Sequence, residues 1–239
     1  MSQGSLTDVD WSKIPAPKDD GGAAHLSGMT IPPVTLRATN DTSVTLSALE
    51  GRTVVFAYPR TGEPGKIGLV DDWDMIPGAR GCTPQTCAFR DLFAELKAAG
   101  AAQVFGLSTQ SNDYQIEMAS RLHLPFPVLS DEALELTHAL RLPTMSVAGL
   151  TLIKRLALVI DDARITHVFY QVFPPDRAAS MVTVLDGHPH TLPFLATINR
   201  VQCKSLGVSE FGQVGDLDSV YRHHGIDTDS IIRAALDVC

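Results

Sequence analysis

The sequence lacks the features that mark several common protein classes. Basic residues are scarce: 19 Lys and Arg stand against 27 Asp and Glu, for a formal net charge of −8. This deficit argues against a surface that follows nucleic-acid phosphates or an anionic membrane. No apolar run approaches the roughly 20 residues of a membrane-spanning helix, and the N-terminus shows no export signal. We therefore expect a cytoplasmic protein without nucleic-acid or membrane partners.

Cysteine is also scarce, with four residues in 239. They are Cys82, Cys87, Cys203 and Cys239. Their spacing matches no standard zinc site, because five positions separate the first two and no second close pair follows. In a reducing compartment, cysteine pairs are more often catalytic or metal-binding than structural. Cys203 and Cys239 are interpreted as incidental.

The order of apolar patterns predicts an α/β domain. Period-two or continuous apolar runs predict strands at 34–38, 44–46, 53–58, 104–108, 126–129, 152–160 and 165–172. Helical spacing predicts helices from Cys82 to about Gly100, from 111 or 112 to 122, and from Asp131 to Leu140. This order predicts a thioredoxin-like fold, with a mixed central sheet flanked by helices.

Composition divides the chain into three parts. Residues 1–27 are rich in Asp, Gly, Pro and Ser and are predicted to form a flexible arm. Residues 28–178 form the predicted thioredoxin-fold domain, and 179–239 form a small α/β appendage. At the junction, Met181–Leu185 is either a strand or the end of a helix that begins at Asp176.

Cys82 is the candidate nucleophile. The run Gly81-Cys82-Thr83-Pro84 opens a predicted helix, and Pro84 suits a first helical turn. The unpaired N–H groups and the dipole at a helix N-terminus favour a thiolate over a thiol. Arg155 and Arg80 are candidate cationic partners of that thiolate.

Cys87 follows five positions after Cys82. On a regular helix this offset places the two Cα atoms roughly 8.7 Å apart, beyond the ~7 Å that a disulfide spans. Either the two residues are unrelated, or the first turns of the helix unwind when a bond forms between them. We favour the second interpretation, which implies a redox cycle with a conformational step.

The run Gly81-Cys82-Thr83-Pro84-Gln85-Thr86-Cys87-Ala88-Phe89-Arg90-Asp91 resembles the active-site helix of peroxiredoxins of the Q, or bacterioferritin-comigratory-protein, type. The resemblance covers about residues 28–177. It includes Tyr58-Pro59-Arg60, Phe105–Thr109, Leu124–Asp131 and Lys154–Asp161. So many matches along one chain are far more specific than a single cysteine motif.

The resemblance implies a function and a set of roles. Cys82 matches the peroxidatic cysteine, Cys87 the resolving cysteine, and Arg155 the arginine that contacts the reacting sulfur and the peroxide. Pro59 matches the proline that opens the family motif. The implied enzyme reduces hydrogen peroxide and small organic hydroperoxides through a sulfenic acid and an intramolecular disulfide. A thioredoxin-like dithiol restores the cysteines, no metal or organic cofactor is involved, and the protein is a monomer or homodimer.

This chain departs from the family pattern just before the nucleophile. The family has Thr three residues before the cysteine, where this chain has Ala79. An insertion at 62–80 also separates Pro59 from Cys82. The missing hydroxyl is then supplied by Thr61 or by Thr83. The insertion is either a surface loop or a lid over the site, anchored by Trp73.

Residues 182–238 resemble the last part of a transketolase C-terminal domain, without the domains that bind thiamine diphosphate. Two other functions remain as alternatives. One is a thioredoxin-fold disulfide reductase, although this chain lacks the Cys-x-x-Cys spacing of such enzymes. The other is a non-enzymatic assembly module that binds its partner through the appendage.

Overall fold

The computed structural model describes residues 10–65, 68–175, 181–185, 203–208 and 216–231. The chain divides into two units between Asp176 and Arg177. The predicted boundary at 178 lies close to this division. Short 3₁₀ turns occur at Trp11–Lys13, Leu46–Ala48 and Trp73–Met75.

The first unit contains a seven-stranded mixed sheet. The strands of this unit are β1 (Thr35–Ala38), β2 (Ser43–Thr45), β3 (Arg52–Ala57), β4 (Gln103–Ser108), β5 (Val128–Ser130), β6 (Thr144–Val147), β7 (Leu150–Ile153), β8 (Leu156–Asp161) and β9 (Arg164–Tyr170). The sheet order is β2-β1-β5-β4-β3-β8-β9. The pairs β3–β4 and β4–β5 are parallel, whereas the outer pairs are antiparallel.

Strand β3 lies near the middle of this sheet and is buried on both faces. Its side chains alternate between two apolar clusters, as the period of two requires. Val55 and Ala57 belong to the Leu158 cluster, which also contains Leu26, Leu107, Leu129, Leu136, Leu140, Ile153 and Ile165. Val54, Phe56 and Tyr58 belong to the Phe56 cluster, which also contains Cys82, Cys87, Phe89, Val104, Met118, Phe126 and Ala157.

Helices cover both faces of the sheet. They are α1 (Cys82–Asp91), α2 (Phe93–Ala98), α3 (Asn112–Arg121) and α4 (Glu135–Leu140). Buried side chains of α1 and α3 join the Phe56 cluster, and those of α4 join the Leu158 cluster. The predicted fold class is therefore confirmed.

Two helix predictions need correction. The helix predicted from Cys82 to about Gly100 is interrupted at Leu92, whose ψ of 5° departs from helical geometry. The helix predicted from Asp131 begins at Glu135 instead. The Asp131 carboxylate accepts hydrogen bonds from the backbone N–H groups of Leu136 (3.1 Å) and Thr137 (2.7 Å). Asp131 thus satisfies the unpaired donors at the start of α4 from outside the helix.

The strand predicted over 152–160 is in fact two strands. The first, β7, forms a hairpin with β6 that the sequence analysis missed, with a turn at Ala148 (φ 49°) and Gly149 (φ 78°). The chain then leaves this hairpin at Lys154 and Arg155 and enters the central sheet as β8. The break between β7 and β8 gives Arg155 a direction that a continuous strand would not allow.

The predicted flexible arm also needs correction in its described part. Leu26 is fully buried in the Leu158 cluster. Asp20 accepts hydrogen bonds from Lys154 Nζ (2.5 Å) and Tyr170 Oη (2.6 Å), and Lys18 O accepts one from Gln171 Nε2 (2.8 Å). These contacts make the segment part of the first unit. Residues 1–9 lie outside the described residues.

The second unit has β10 (Met181–Leu185) and β11 (Cys203–Gly207) as a parallel pair. Helix α5 (Leu217–His223) begins after Asp216, whose side chain accepts a hydrogen bond from Ser219 N (3.0 Å). The strand interpretation of Met181–Leu185 is therefore confirmed. The likeness to a transketolase domain is not tested by these elements and stays a prediction. Cys239 lies outside the described residues.

Candidate active site

Helix α1 begins directly at Cys82, after a tightly packed glycine. Gly81 has φ 103°, a value that side-chain-bearing residues rarely adopt. A Cβ at this position would lie 2.2 Å from Pro175 Cγ and 2.7 Å from Trp11 Cη2. Gly81 O accepts the first helical hydrogen bond, from Gln85 N at 3.0 Å. Glycine is therefore needed both for the turn and for the close approach of Trp11 and Pro175.

Arg155 lies against the same end of α1. Its side chain is fully buried, and Nη2 donates to Cys82 Sγ at 3.3 Å. Further hydrogen bonds from the guanidinium reach the carbonyl oxygens of Arg80 (3.0 Å), Gly78 (3.3 Å), Ala79 (3.5 Å) and Gly81 (3.5 Å). The turn before α1 therefore wraps its carbonyl groups around the guanidinium.

These contacts define the electrostatics of the site. A buried guanidinium is costly unless its donors are paired and its charge is offset. The four carbonyl oxygens pair donors on Nη1 and Nη2 but carry only partial charge, and the buried Nε has no hydrogen-bond partner within the described residues. Among the acceptors of Arg155, Cys82 Sγ is the one that can become an anion. Cys82 is itself 3% exposed, and its Sγ also lies 3.4 Å from Ala79 O.

Gln85 is a site residue that the sequence analysis missed. Its Oε1 accepts a hydrogen bond from Arg155 Nη1, and the side chain is 1% exposed. Gln85 lies three positions after Cys82, so the two residues share one face of α1. That spacing is the signal that would have identified it. Gln85 therefore fixes the guanidinium from the side of the helix.

A cleft of about 650 Å³ opens above Cys82. Thr61, Thr83 and Cys82 all line it, as do Trp73 and other residues of the 62–80 insertion. Pro59 is buried behind the cleft, where its carbonyl oxygen accepts a hydrogen bond from Ser108 Oγ (3.3 Å). The structure thus brings Thr61 and Thr83 to the cysteine, whereas Pro59 supports the loop that carries Thr61.

Thr61 is held in place by Gln110. Gln110 Oε1 accepts hydrogen bonds from Thr61 N (2.9 Å) and Thr61 Oγ1 (3.1 Å), and Gln110 Nε2 donates to Thr61 O (3.2 Å). Tyr114 Oη also donates to Thr61 O (3.1 Å). With its hydrogen given to Gln110, the Thr61 hydroxyl keeps lone pairs that can accept a hydrogen bond. Ala79, at the position of the family threonine, has no hydroxyl to offer.

Arg80, the second predicted cationic partner of the Cys82 thiolate, makes its contacts elsewhere. Its guanidinium forms an ion pair with Asp74 (Nη1–Oδ1 3.1 Å), while its carbonyl oxygen accepts from Arg155. Within the described residues, the side chain that donates a hydrogen bond to Cys82 Sγ is that of Arg155.

Cys87 lies farther along α1, in the apolar Phe56 cluster. Both Cys82 and Cys87 are free thiols here and both are buried. Burial raises the pKa of the Cys87 thiol, and the nearby Arg90 opposes this shift only in part. Cys87 is therefore a neutral thiol at neutral pH.

Tyr58 lies beneath the site, at the end of β3. Burial, and to a lesser degree an electrostatic interaction with Cys82, raises the pKa of the Tyr58 phenol well above its ordinary value. Its hydroxyl is directed to Met118 Sδ at 3.8 Å. Tyr58 therefore stays protonated and packs in the apolar cluster behind Cys82 rather than taking part in proton transfer.

Known proteins resemble this chain in sequence and in fold. The sequence model of the redoxin family matches residues 26–185, more than half of the chain. The chain belongs to the redoxin family. Peroxiredoxin Q, chloroplastic, from Sedum lineare is 32% identical over 165 residues, a match that covers 68% of this chain and 78% of that protein. The chain is thus a peroxiredoxin of the Q type, a thiol-dependent peroxidase.

Other relatives give the same assignment. Peroxiredoxin Q, chloroplastic, from Oryza sativa subsp. japonica is 32% identical over 152 residues, which cover 63% of this chain and 61% of the rice protein. The chain therefore spans less than two thirds of that relative. The crystal structure of peroxidoxin BcpB from Mycobacterium tuberculosis superposes with a TM-score of 0.51 at 27% identity, covering 63% of this peroxiredoxin and 88% of that chain.

Several other predictions remain untested by these comparisons. The plant relatives carry the word chloroplastic in their names, so the cytoplasmic location expected for this peroxiredoxin stays a prediction. No helix in the described part of the chain is long and apolar enough to cross a membrane. Among the described residues, no three His, Cys, Asp or Glu side chains are grouped to hold a metal ion. The roles of the individual site residues also stay predictions.

Proposed function

We propose that this peroxiredoxin reduces hydrogen peroxide and small organic hydroperoxides with Cys82 as the nucleophile. The observation that carries the proposal is the 3.3 Å contact between Arg155 Nη2 and Cys82 Sγ at the N-terminal end of α1. A buried cation and the unpaired N–H groups of a first helical turn both stabilise a thiolate. The cleft above Cys82 gives a small peroxide access to the sulfur.

In the first step the Cys82 thiolate attacks the terminal oxygen of the peroxide. An S–O bond forms and the O–O bond breaks, so the sulfur is oxidised to a sulfenic acid. The departing hydroxide or alkoxide takes a proton and leaves as water or an alcohol. The Arg155 guanidinium stabilises the negative charge that moves from sulfur to oxygen.

We assign the positioning hydroxyl to Thr61 rather than Thr83. Both residues line the cleft. Gln110 fixes the Thr61 side chain by accepting its hydroxyl hydrogen at 3.1 Å, so the oxygen is oriented before the peroxide arrives. It then accepts a hydrogen bond from the peroxide O–H and holds the O–O bond in line with the sulfur.

In the second step Cys87 condenses with the sulfenic acid. The Cys87 sulfur bonds to Cys82 Sγ, and the sulfenic oxygen leaves as water. On the intact α1 the two Cα atoms are roughly 8.7 Å apart, so the first turns of the helix must unwind. A thioredoxin-like dithiol then reduces the disulfide by exchange and is itself oxidised.

A turnover assay tests this proposal. Purified protein is given hydrogen peroxide with thioredoxin, thioredoxin reductase and NADPH, and NADPH consumption is followed. The proposal requires peroxide-dependent NADPH oxidation that stops when the protein is omitted. Reduction of insulin disulfides without any peroxide consumption would instead favour a thioredoxin-fold reductase.

A further inference from the structure

The cleft above Cys82 has a rim and a floor of opposite charge. The floor is the N-terminal end of α1, with the buried Arg155 behind it. The rim comes largely from the 62–80 insertion. Its acidic residues on the cleft are Glu63, Asp71, Asp72 and Asp74. Two basic residues, Arg60 and Arg80, also line the cleft.

The two arginines do not cancel these carboxylates. Arg80 is paired with Asp74 at 3.1 Å. The Arg60 guanidinium lies over the ring of Tyr114, 5.0 Å from its centroid. The carboxylates of Asp71 and Asp72 are exposed and make no ion pair or hydrogen bond within the described part of the chain. Among the described residues that line the cleft, the entrance therefore carries a net negative charge.

While Cys82 is a neutral thiol, the Arg155 guanidinium behind it has no anionic partner among the described residues and would attract other anions to the site. Inorganic anions and carboxylates would then compete with hydrogen peroxide, which is neutral at physiological pH. A negative entrance repels anions over about one Debye length, ~8 Å at 0.15 M salt, and leaves neutral molecules unaffected. The rim does not need to bind anything to have this effect.

We propose that the acidic rim at Asp71 and Asp72 selects neutral peroxides and excludes anionic hydroperoxides from Cys82. This inference rests on the proposed function and narrows its substrate class. The inference also gives the insertion a role, because residues of the insertion and Cys82 line the same cleft.

A matched pair of substrates tests the proposal. A short-chain hydroperoxide bearing a carboxylate and its methyl ester differ by a single charge. The rate constant for Cys82 oxidation is measured for each at low ionic strength, with hydrogen peroxide as the neutral reference. We expect the ester to react about tenfold faster than the carboxylate, and the ratio to decline as salt screens the rim.

The double substitution Asp71→Asn/Asp72→Asn should lower this ester-to-carboxylate ratio by about threefold, since it removes two rim charges and little volume. Glu50→Gln, at an exposed carboxylate that does not line the cleft, is the matched control and should leave the ratio unchanged. An unchanged ratio in the double variant, or a faster carboxylate in the native protein, overturns the proposal. Absence of hydrogen peroxide turnover would instead contradict the proposed function itself.

Discussion

Helix α1 holds two cysteines whose surroundings differ in charge. Cys82 lies at the N-terminal end, where Arg155 and the first-turn N–H groups bring positive charge to the sulfur. Cys87 lies past the first turn, where the Phe56 cluster surrounds it and burial raises the pKa of its thiol. In the proposed function, one helix therefore provides the attacking sulfur at its N-terminal end and a second thiol that stays protonated.

This difference explains why the proposed reaction has an order. A neutral thiol does not compete for peroxide, because the thiolate is the nucleophile. It reacts only after the helix opens and exposes it to the oxidised partner. The separation along α1 thus keeps the two cysteines apart before oxidation and links their bonding to a change of shape.

The largest expected effect comes from removing the sulfur at the charged end. Cys82→Ser should abolish peroxide turnover, with a loss of at least about 1,000-fold, because a serine hydroxyl is not ionised at neutral pH. NADPH oxidation in the thioredoxin-coupled assay measures this loss. Cys203→Ser, in β11 of the second unit, is the matched control and should retain full activity.

A smaller effect is expected when the charge beside Cys82 is kept but its geometry is lost. Arg155→Lys should slow Cys82 oxidation by about 10- to 100-fold, since a charge-assisted hydrogen bond contributes about 1.5–3 kcal/mol. Stopped-flow measurement of the first oxidation gives the rate, and the thermal unfolding midpoint shows whether the variant folds. A folded Arg155→Lys variant with the native rate would show that the guanidinium contact is dispensable.

The protonation of Cys87 should be visible in the pH dependence of disulfide formation. Because burial raises the pKa of Cys87, its thiolate fraction is small at neutral pH and grows about tenfold per pH unit. Disulfide formation should therefore accelerate as pH rises from 6 to 8. Quenched-flow trapping of free thiols follows this step after peroxide addition. A rate that is flat across this range would mean that another step, such as helix opening, limits it.

The smallest effect distinguishes the two hydroxyl groups in the cleft. Thr61→Val should slow Cys82 oxidation by about fivefold, the equivalent of one hydrogen bond of about 1 kcal/mol. Thr83→Val, the matched change in the first turn of α1, should have a smaller effect. If the Thr83 variant is the slower of the two, the positioning hydroxyl belongs to α1 and not to the loop after β3.

Much of the fold could be predicted because the apolar spacing is strong where the chain is buried. The strand at 53–58 and the helix beginning at Cys82 follow directly from that spacing, and both carry the site. The break at Lys154 and Arg155 could not be found this way, since the apolar residues on either side read as one strand. The sequence does contain a signal for the hairpin of β6 and β7, because Ala148-Gly149 is a two-residue turn between two β runs.

Composition misled the interpretation of the N-terminal segment. Asp, Gly and Pro are typical of mobile chain, yet Leu26 is fully buried and Asp20 bonds to Lys154 and Tyr170. Partners so distant in sequence are invisible to local patterns. Spacing places Gln85 on the Cys82 face of α1, but its contact with Arg155, 70 positions away in sequence, is equally invisible to local patterns.

The most direct test of the account is to map the cysteine bonds after a single equivalent of hydrogen peroxide. The reduced protein is oxidised, alkylated to trap the remaining thiols, digested and examined by mass spectrometry. The account predicts a peptide in which Cys82 and Cys87 are joined, and a sulfenic acid at Cys82 in the Cys87→Ser variant. An unmodified Cys82, or a bond that leaves Cys82 free, would contradict it.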